Sequence, residues 1–198
     1  MKNISKLKRN ILASILVLTG GMLSNVSMAN AYDGKITFLG KINNATCEIS
    51  GGNTNGTETT NPNFSVTLPT VSTTAFKGLG DRAGDTEFFI KLKGSNCLAG
   101  DGYAIKFERI SSSDFIDPKT GYLKNMRVNG AKNIQLVISD EDKNDFDFTT
   151  SKDTSPTKKR ETAEEETMFN FGVQYVSTAA SVTSGEVEGN IYYSVVYP

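Results

Sequence analysis

The carboxyl-terminal stretch, residues 185–198, reads "GEVEGNIYYSVVYP". Every second residue of this stretch is apolar or glycine, and the set is Val187, Gly189, Ile191, Tyr193, Val195 and Tyr197. A two-residue alternation that is rich in β-branched and aromatic residues predicts a half-buried β-strand. Because chain termini usually fray, a patterned strand that continues to the penultimate residue has to be explained by what it pairs with.

Six further stretches show the same alternation, and they cover residues 34–42, 64–69, 85–94, 103–107, 133–139 and 168–176. Turns rich in Gly, Asn, Ser and Asp separate them, and no convincing amphipathic helix lies between them. About seven short strands at this spacing predict an all-β protein, an antiparallel β-sandwich of the immunoglobulin-like type.

The first 31 residues have the features of a secretory signal peptide. A basic start precedes the mostly apolar residues 11–23, and Ala29 and Ala31 place small residues at a cleavage site. The apolar part is too short and too rich in glycine for a membrane span, although a retained anchor and cleavage after Ala29 are alternatives. No later segment is long and apolar enough to cross a bilayer. Cleavage after Ala31 leaves residues 32–198, which suit one domain.

The charge balance argues against nucleic acid as a partner. Of the 21 Lys and Arg residues, four lie in the leader, at Lys2, Lys6, Lys8 and Arg9. The remaining 17 face 22 Asp and Glu, so the mature chain carries a net charge of about −5. No basic stripe is present to contact phosphates.

Two cysteines, Cys47 and Cys97, remain in a chain that is addressed to an oxidising compartment. An even number of cysteines in an exported protein predicts a disulfide. Closing a loop of fifty residues would contribute about 4 kcal/mol in the chain-entropy model. A catalytic thiol is disfavoured because the chain has no histidine to activate it.

Catalytic chemistry has little support in the sequence. Without histidine there is no Ser-His or Cys-His arrangement and no imidazole metal ligand. Asp140, Asp142 and Asn144 match the first positions of a calcium loop, but Asp145 and Ser151 stand where glycine and glutamate are needed. We therefore predict no catalytic residues, no metal and no cofactor.

Two polar segments interrupt the strand pattern. Residues 51–63 contain no apolar side chain and are predicted to form an exposed loop. Residues 139–167 form a long, charge-dense insertion, whose middle is predicted to be a mobile loop or hairpin tip without a packed core. Within it, the basic residues 158–160 and the acidic residues 164–166 are interpreted as a solvated surface.

The predicted mature amino terminus is itself an alternating strand. One face of "YDGKITFLG" carries Tyr32, Gly34, Ile36, Phe38 and Gly40. An unpaired strand of this kind is an aggregation hazard unless it has a designated acceptor. Strand addition to the edge of another sheet would provide one.

Several quoted stretches together resemble the major-type pilin subunits of bacterial chaperone–usher fimbriae. They are "GKITFLGKINNATC" (34–47), "VTLPTVSTTAFKGLGDRAGDTEFFIKLKGSNC" (66–97), "GYLKN" (121–125) and "AKNIQLVISD" (131–140). In addition, Tyr197 is penultimate and Gly185 is fourteenth from the carboxyl terminus, which matches the chaperone-recognition signature of that family. The resemblance covers residues 34–198, and the 139–167 insertion departs from it.

The resemblance implies an immunoglobulin-like sandwich that lacks its last strand. It implies three parts: a signal peptide (1–31), a donor-strand extension (32–41) and a pilin domain (42–198). Tyr32, Gly34, Ile36, Phe38 and Gly40 would enter the groove of an identical or related pilin subunit, so that subunits polymerise head to tail. A strand formed by Gly185, Val187, Gly189, Ile191, Tyr193, Val195 and Tyr197 would border the chain's own groove and pair first with a periplasmic chaperone.

The same resemblance implies assembly through an outer-membrane usher and a final location in a fimbrium on the cell surface, with a function in adhesion. A minor adaptor subunit of the fimbria is the nearest alternative. A carbohydrate-binding tip adhesin is less favoured because 167 residues leave no room for an additional lectin domain. A secreted hydrolase on a β-sandwich is disfavoured by the missing histidine.

Overall fold

The computed structural model describes residue 37, residues 46–54 and residues 56–198. The described part is built from short strands, with one single-turn 3₁₀ helix at Thr73–Ala75. The strands are β1 (Glu48–Asn53), β2 (Arg82–Lys93), β3 (Gly100–Phe107), β4 (Leu123–Lys124), β5 (Ile134–Ser139), β6 (Lys158–Arg160), β7 (Thr167–Ser177) and β8 (Tyr193–Val196). No helix in these residues is long and apolar enough to cross a membrane.

The strands form two sheets, as the alternating pattern predicts for a sandwich. One sheet has five strands in the order β1-β2-β7-β5-β4, and the other has three in the order β6-β3-β8. Every strand pair in the described part of the chain is antiparallel. The all-β, immunoglobulin-like prediction is therefore confirmed.

The core lies between the two sheets and is rich in aromatic rings. In the central pair, Phe88 of β2 lies opposite Phe171 of β7, and their ring centroids are 5.3 Å apart. The Phe107 ring of β3 meets the Phe171 ring edge-on at 5.3 Å from the other sheet. The predicted inward residues of these strands are buried, namely Phe88, Ile90, Leu92, Tyr103, Ile105, Phe107, Leu136, Ile138, Phe169, Phe171 and Val173.

The predicted disulfide joins Cys47 to Cys97. Cys47 immediately precedes β1, and Cys97 lies in the turn between β2 and β3. Both cysteines are buried at this end of the sandwich. The bond therefore ties the start of the described domain to the turn that connects the two sheets.

The prediction that residues 51–63 form an exposed loop is wrong for the first part of that range. Gly51 and Gly52 are buried in β1 and lie opposite Ile90 and Phe89 of β2. A Cβ added at Gly51 would lie only 2.5 Å from Cε1 of Phe64, so the strand depends on the missing side chain. Apolar periodicity could not reveal a strand that packs through its backbone.

The prediction that residues 139–167 lack a packed core is also wrong, although the antiparallel bridge between Asp147 and Lys152 closes an exposed turn that corresponds to the predicted hairpin tip. Phe146 and Phe148 are buried in the core, with 5% and 4% of their surface exposed. Further on, the Ser155 N–H donates to the Ile105 carbonyl (2.8 Å), and β6 pairs with β3. The segment thus supplies core residues and also β6, one of the three strands of the smaller sheet.

Arg160, which the sequence placed on a solvated surface, is 1% exposed. Its guanidinium donates to the Leu92 carbonyl (3.1 Å) and to the Thr167 hydroxyl (2.8 Å). These bonds tie the end of the insertion to β2 and β7. Charge density alone did not indicate burial because backbone carbonyls and a hydroxyl, rather than carboxylates, accept these hydrogen bonds.

Candidate functional site

The candidate site begins at β8, which has a partner on one side only among the described strands. β8 pairs with β3, so that Tyr193 lies opposite Phe107 and Val195 opposite Ile105. The regular strand is shorter than predicted from the alternation, which covered residues 187–197. Its outer edge presents backbone groups that another strand could pair with.

Hydrogen bonds upstream of β8 fix which backbone groups face the open side. The Tyr192 carbonyl accepts from the Glu108 N–H (2.8 Å), and the Tyr192 N–H donates to Ser112 Oγ (2.9 Å). Both backbone groups of Tyr192 therefore point toward the side of β3 and away from the open edge. Since backbone direction alternates along an antiparallel strand, Tyr193 and Val195 direct theirs to the open edge.

The same alternation holds further back along the chain. The Glu188 carbonyl accepts from the Met126 N–H (2.8 Å), and its N–H donates to Asn125 Oδ1 (2.9 Å). The backbone N–H and C=O groups of even-numbered residues thus point toward the neighbouring segment of the fold. Those of odd-numbered residues such as Val187 point toward the open edge. We call residues 187–195 the C-terminal wall.

The side chains of this wall follow the predicted faces. Four of its residues pack on the core, namely Val187, Ile191, Tyr193 and Val195, as does Tyr197 beyond the end of the wall. The intervening Glu188, Asn190 and Tyr192 are exposed. At Gly185, a Cβ would lie 2.5 Å from the Ala131 backbone nitrogen, so glycine is needed where the chain approaches the turn before β5.

A second wall faces the first and is formed by residues 62–68, which we call the N-terminal wall. Phe64, Val66 and Leu68 are half-buried against the same core, as predicted, although the stretch is not a regular strand. The Asn53 side chain holds this wall in place, since it donates to the Thr67 carbonyl (3.0 Å) and accepts from the Thr67 N–H (3.1 Å).

Between the two walls lies an apolar groove of about 880 Å³. Side chains of both sheets form its floor, namely Phe88, Ile90, Phe107, Leu123, Leu136, Ile138 and Val173. With an apolar floor and, along one side, a strand edge that none of the described strands pairs with, the groove can accept an extended chain that alternates apolar residues.

Tyr193 joins the two walls across the groove. Its hydroxyl donates to the Pro62 carbonyl at 2.7 Å, and its ring centroid is 6.2 Å from that of Phe64. A tyrosine hydroxyl is already protonated at physiological pH at its ordinary pKa of about 10, and burial raises the pKa of Tyr193 further, to about 12. This contact was not predicted. In the sequence, only the alternation of residues 64–68 indicated the second wall.

A second cavity of about 790 Å³ adjoins the groove at Val187. Its apolar lining includes Phe76, Ile134, Tyr175 and Val182. On its rim, Arg127 Nε lies 2.6 Å from a Glu186 carboxylate oxygen. This hydrogen bond raises the pKa of Arg127 above its ordinary value.

The other end of the C-terminal wall is held by the disulfide region. The Cys47 N–H donates to the Tyr197 hydroxyl (3.4 Å), and the Tyr197 ring meets the Tyr103 ring edge-on at 5.7 Å. The Tyr103 hydroxyl in turn donates to the Leu98 carbonyl, next to Cys97 (2.8 Å). The penultimate tyrosine therefore packs onto the part of the fold that the disulfide closes.

The predicted donor residues Tyr32, Gly34, Ile36, Phe38 and Gly40 lie outside the described residues. Of the predicted residues of the terminal strand, Val187, Gly189, Ile191 and Tyr193 line the groove. Gly185 lines the second cavity, Val195 pairs with Ile105 of β3, and Tyr197 packs on Tyr103. In the part of the chain that the structure describes, no group of three or more metal-ligating side chains comes together.

Comparison with known proteins matches this chain to fimbrial proteins. A family model described as "FimA: Type-1 fimbrial protein, A" matches residues 68–198. "Major fimbrial subunit SMF-1" of Stenotrophomonas maltophilia is 34% identical over 176 residues, which cover 85% of this chain and 95% of the relative. "Minor fimbrial subunit HifD" of Haemophilus influenzae is 31% identical over 179 residues, which cover 85% of this chain and 76% of the relative.

A solved chaperone–usher pilus structure has a similar fold, with a TM-score of 0.53 and 15% identity. The match covers 86% of this chain and 98% of that chain. At this identity the likeness concerns the fold alone.

Proposed function

Because the chain belongs to the type-1 fimbrial protein family, we propose that its copies polymerise head to tail by donating strands to one another. As a member of this family it is a structural subunit of a surface fimbrium. In the proposed assembly, residues 32–40 of one copy fill the groove between the two walls of the next. Donor and acceptor on one chain form a heterologous contact, which generates an open filament.

The open groove is the observation that carries this proposal. It combines an apolar floor with an edge of β8 that no other described strand pairs with, and residues 32–40 have an alternating sequence of matching character. Burial of Tyr32, Ile36 and Phe38 would contribute about 1.5–3 kcal/mol per side chain. Backbone hydrogen bonds to the edge would add to this.

Before assembly, the groove needs another occupant because an exposed apolar edge promotes aggregation. We propose that a periplasmic chaperone fills this role by pairing with the C-terminal wall and Tyr197. The chaperone then delivers the subunit to an outer-membrane usher. The predicted signal peptide and the disulfide between Cys47 and Cys97 suit a route through the periplasm.

Charging the donor strand tests the proposal. Ile36→Asp with Phe38→Asp should permit export and disulfide formation but abolish filaments, because burying carboxylates in apolar pockets costs several kcal/mol each. Thr37→Asp with Leu39→Asp is the matched control, since it adds the same charges to the opposite face of the strand. Electron microscopy of surface filaments gives the readout. Filaments from the Ile36/Phe38 variant, or its unfolding before chaperone capture, would refute strand donation.

We propose the role of a major shaft subunit, without enzymatic activity. An adaptor remains the second candidate because relatives of both major and minor type match the chain. The abundance of the protein in sheared filaments separates the two, since a shaft subunit would dominate the preparation. A tip adhesin would instead be detected by binding of the isolated subunit to a glycan array.

A further inference from the structure

We propose that Gly185 acts inside its own subunit, where its missing side chain lets residues 125–131 brace the start of the C-terminal wall, with Asn125 as the positioning residue. We call residues 125–131 the bracing turn. The resemblance to pilins assigns Gly185 to recognition by a chaperone, so this inference gives the residue a further role. It rests on contacts within one chain and does not depend on strand donation between copies.

Two backbone segments cross at Gly185 at a distance that excludes a side chain. A Cβ on Gly185 would lie 2.5 Å from the Ala131 backbone nitrogen and 2.8 Å from the Gly130 carbonyl carbon. A Cβ on Gly130 would in turn overlap the Glu186 carbonyl oxygen. Backbone atoms cannot move aside as the end of a side chain can. Both glycines are therefore needed for the same crossing.

The close approach allows hydrogen bonds between the two backbones. The Ala131 N–H donates to the Glu186 carbonyl (3.0 Å), and the Met126 N–H donates to the Glu188 carbonyl (2.8 Å). A side chain at Gly185 would push the two segments apart and lengthen the first of these bonds. Gly185 also has a φ of 154°, which residues with a side chain rarely adopt.

The side chain of Asn125 joins the same two segments. Its Nδ2 donates to the Glu186 carbonyl (3.0 Å) and to the Ala131 carbonyl (2.9 Å), and its Oδ1 accepts from the Glu188 N–H (2.9 Å). Both ends of the amide are therefore used. They hold Glu186 and Glu188 on either side of Val187, the first residue of the C-terminal wall.

Arg127 adds ion pairs to the brace on its exposed side. Its Nε lies 2.6 Å from a Glu186 carboxylate oxygen, and its Nη1 lies 3.4 Å from a Glu188 carboxylate oxygen. Exposed ion pairs contribute little stability, whereas loss of Asn125 would leave backbone groups of the wall without a partner. We therefore assign the positioning role to Asn125 rather than to Arg127.

Melting of the isolated chain tests where Gly185 acts. In the dilute mature chain, with no partner protein present, Gly185→Ala should lower the melting temperature by at least about 4 °C, in line with the cost of overpacking. Gly189→Ala is the matched control in the same wall. It should cause a clearly smaller fall, because its Cβ would meet only Cδ1 of Leu136, the end of a side chain. If Gly185→Ala melts like the native chain, or falls no further than Gly189→Ala, the proposal is overturned.

Hydrogen exchange tests the positioning role of Asn125. Asn125→Ala should raise the exchange rates of the Ala131 and Met126 amides by at least about tenfold, while the amides of β2 and β7 keep their native protection, because local opening does not require global unfolding. Neither of these two amides bonds to the Asn125 side chain. Arg127→Ala is the control in the same turn and should change both rates by less than about twofold. Native protection of both amides in Asn125→Ala, or an equal loss in β2 and β7, would refute the positioning role.

A double substitution tests whether the two residues act on one contact. Residues of one hydrogen-bonded unit show non-additive effects. Asn125→Ala should therefore lower the melting temperature less in the Gly185→Ala background than in the native chain. Fully additive shifts would show that the residues act independently and would overturn the brace. If Gly185→Ala yields no folded chain, the exchange pattern of Asn125→Ala decides the question alone.

Discussion

Replacing Phe146 by alanine is expected to destabilise the mature chain strongly, although it lies in a segment that is mostly charged. The Phe146 side chain is 5% exposed. Its ring centroid lies 5.0 Å from that of Phe107 and 6.1 Å from that of Phe171. Truncation of a buried phenylalanine to alanine costs about 3–5 kcal/mol, because transferred surface is lost and a cavity remains.

This loss is a large part of the total stability of a domain, which is about 5–15 kcal/mol. For a domain of 150–250 residues, each kcal/mol shifts the melting temperature by about 2–4 °C. The expected fall is therefore about 6–20 °C, measured by circular dichroism during heating. Phe146→Leu should give a smaller fall because leucine fills part of the cavity.

The matched control is Asp142→Ala in the same segment, because Asp142 is exposed. Its effect should stay within about 0.5 kcal/mol. If Phe146→Ala melts within about 2 °C of this control, residues 139–167 do not pack on the core as described, and the reasoning fails.

Three further predictions concern other parts of the molecule. The double substitution Cys47→Ser with Cys97→Ser should lower the free energy of unfolding by about 4 kcal/mol, because the disulfide closes a loop of 50 residues. Denaturant unfolding measures this loss, and an unchanged midpoint would contradict the prediction. The pKa of Glu58 is lowered from 4.5, chiefly by its hydrogen bond to Lys91 (2.7 Å). The stability from this pair is present above pH 4.5 and is lost as the pH falls through the lower folded pKa. Lys91→Met should therefore lose less stability than the native chain between pH 5 and pH 3, and equal acid sensitivity would count against the assignment. Tyr197→Ala should reduce the periplasmic yield of the subunit–chaperone complex while donation by residues 32–40 continues, and a normal yield would exclude an anchoring role.

Local periodicity in the sequence was sufficient to predict the sandwich and much of one groove wall. Phe88, Ile90 and Leu92 alternate because successive side chains of a strand point to opposite faces, and the structure buries them together. The same rule correctly placed the odd-numbered residues of 187–197 against the core. The disulfide followed from an even cysteine count behind a predicted signal peptide, which depends on composition rather than on fold.

Tertiary structure alone decided the features that depend on distant partners. Gly51 is buried because the Phe64 ring occupies the space of its missing side chain. Phe146 enters the core because the insertion folds back beside Phe107, although its neighbours in the sequence are charged. Tyr193 spans the groove only because Pro62, 131 residues away in the chain, forms the facing wall. Periodicity records which face a side chain occupies, whereas the identity of its partner depends on long-range packing that a local pattern does not contain.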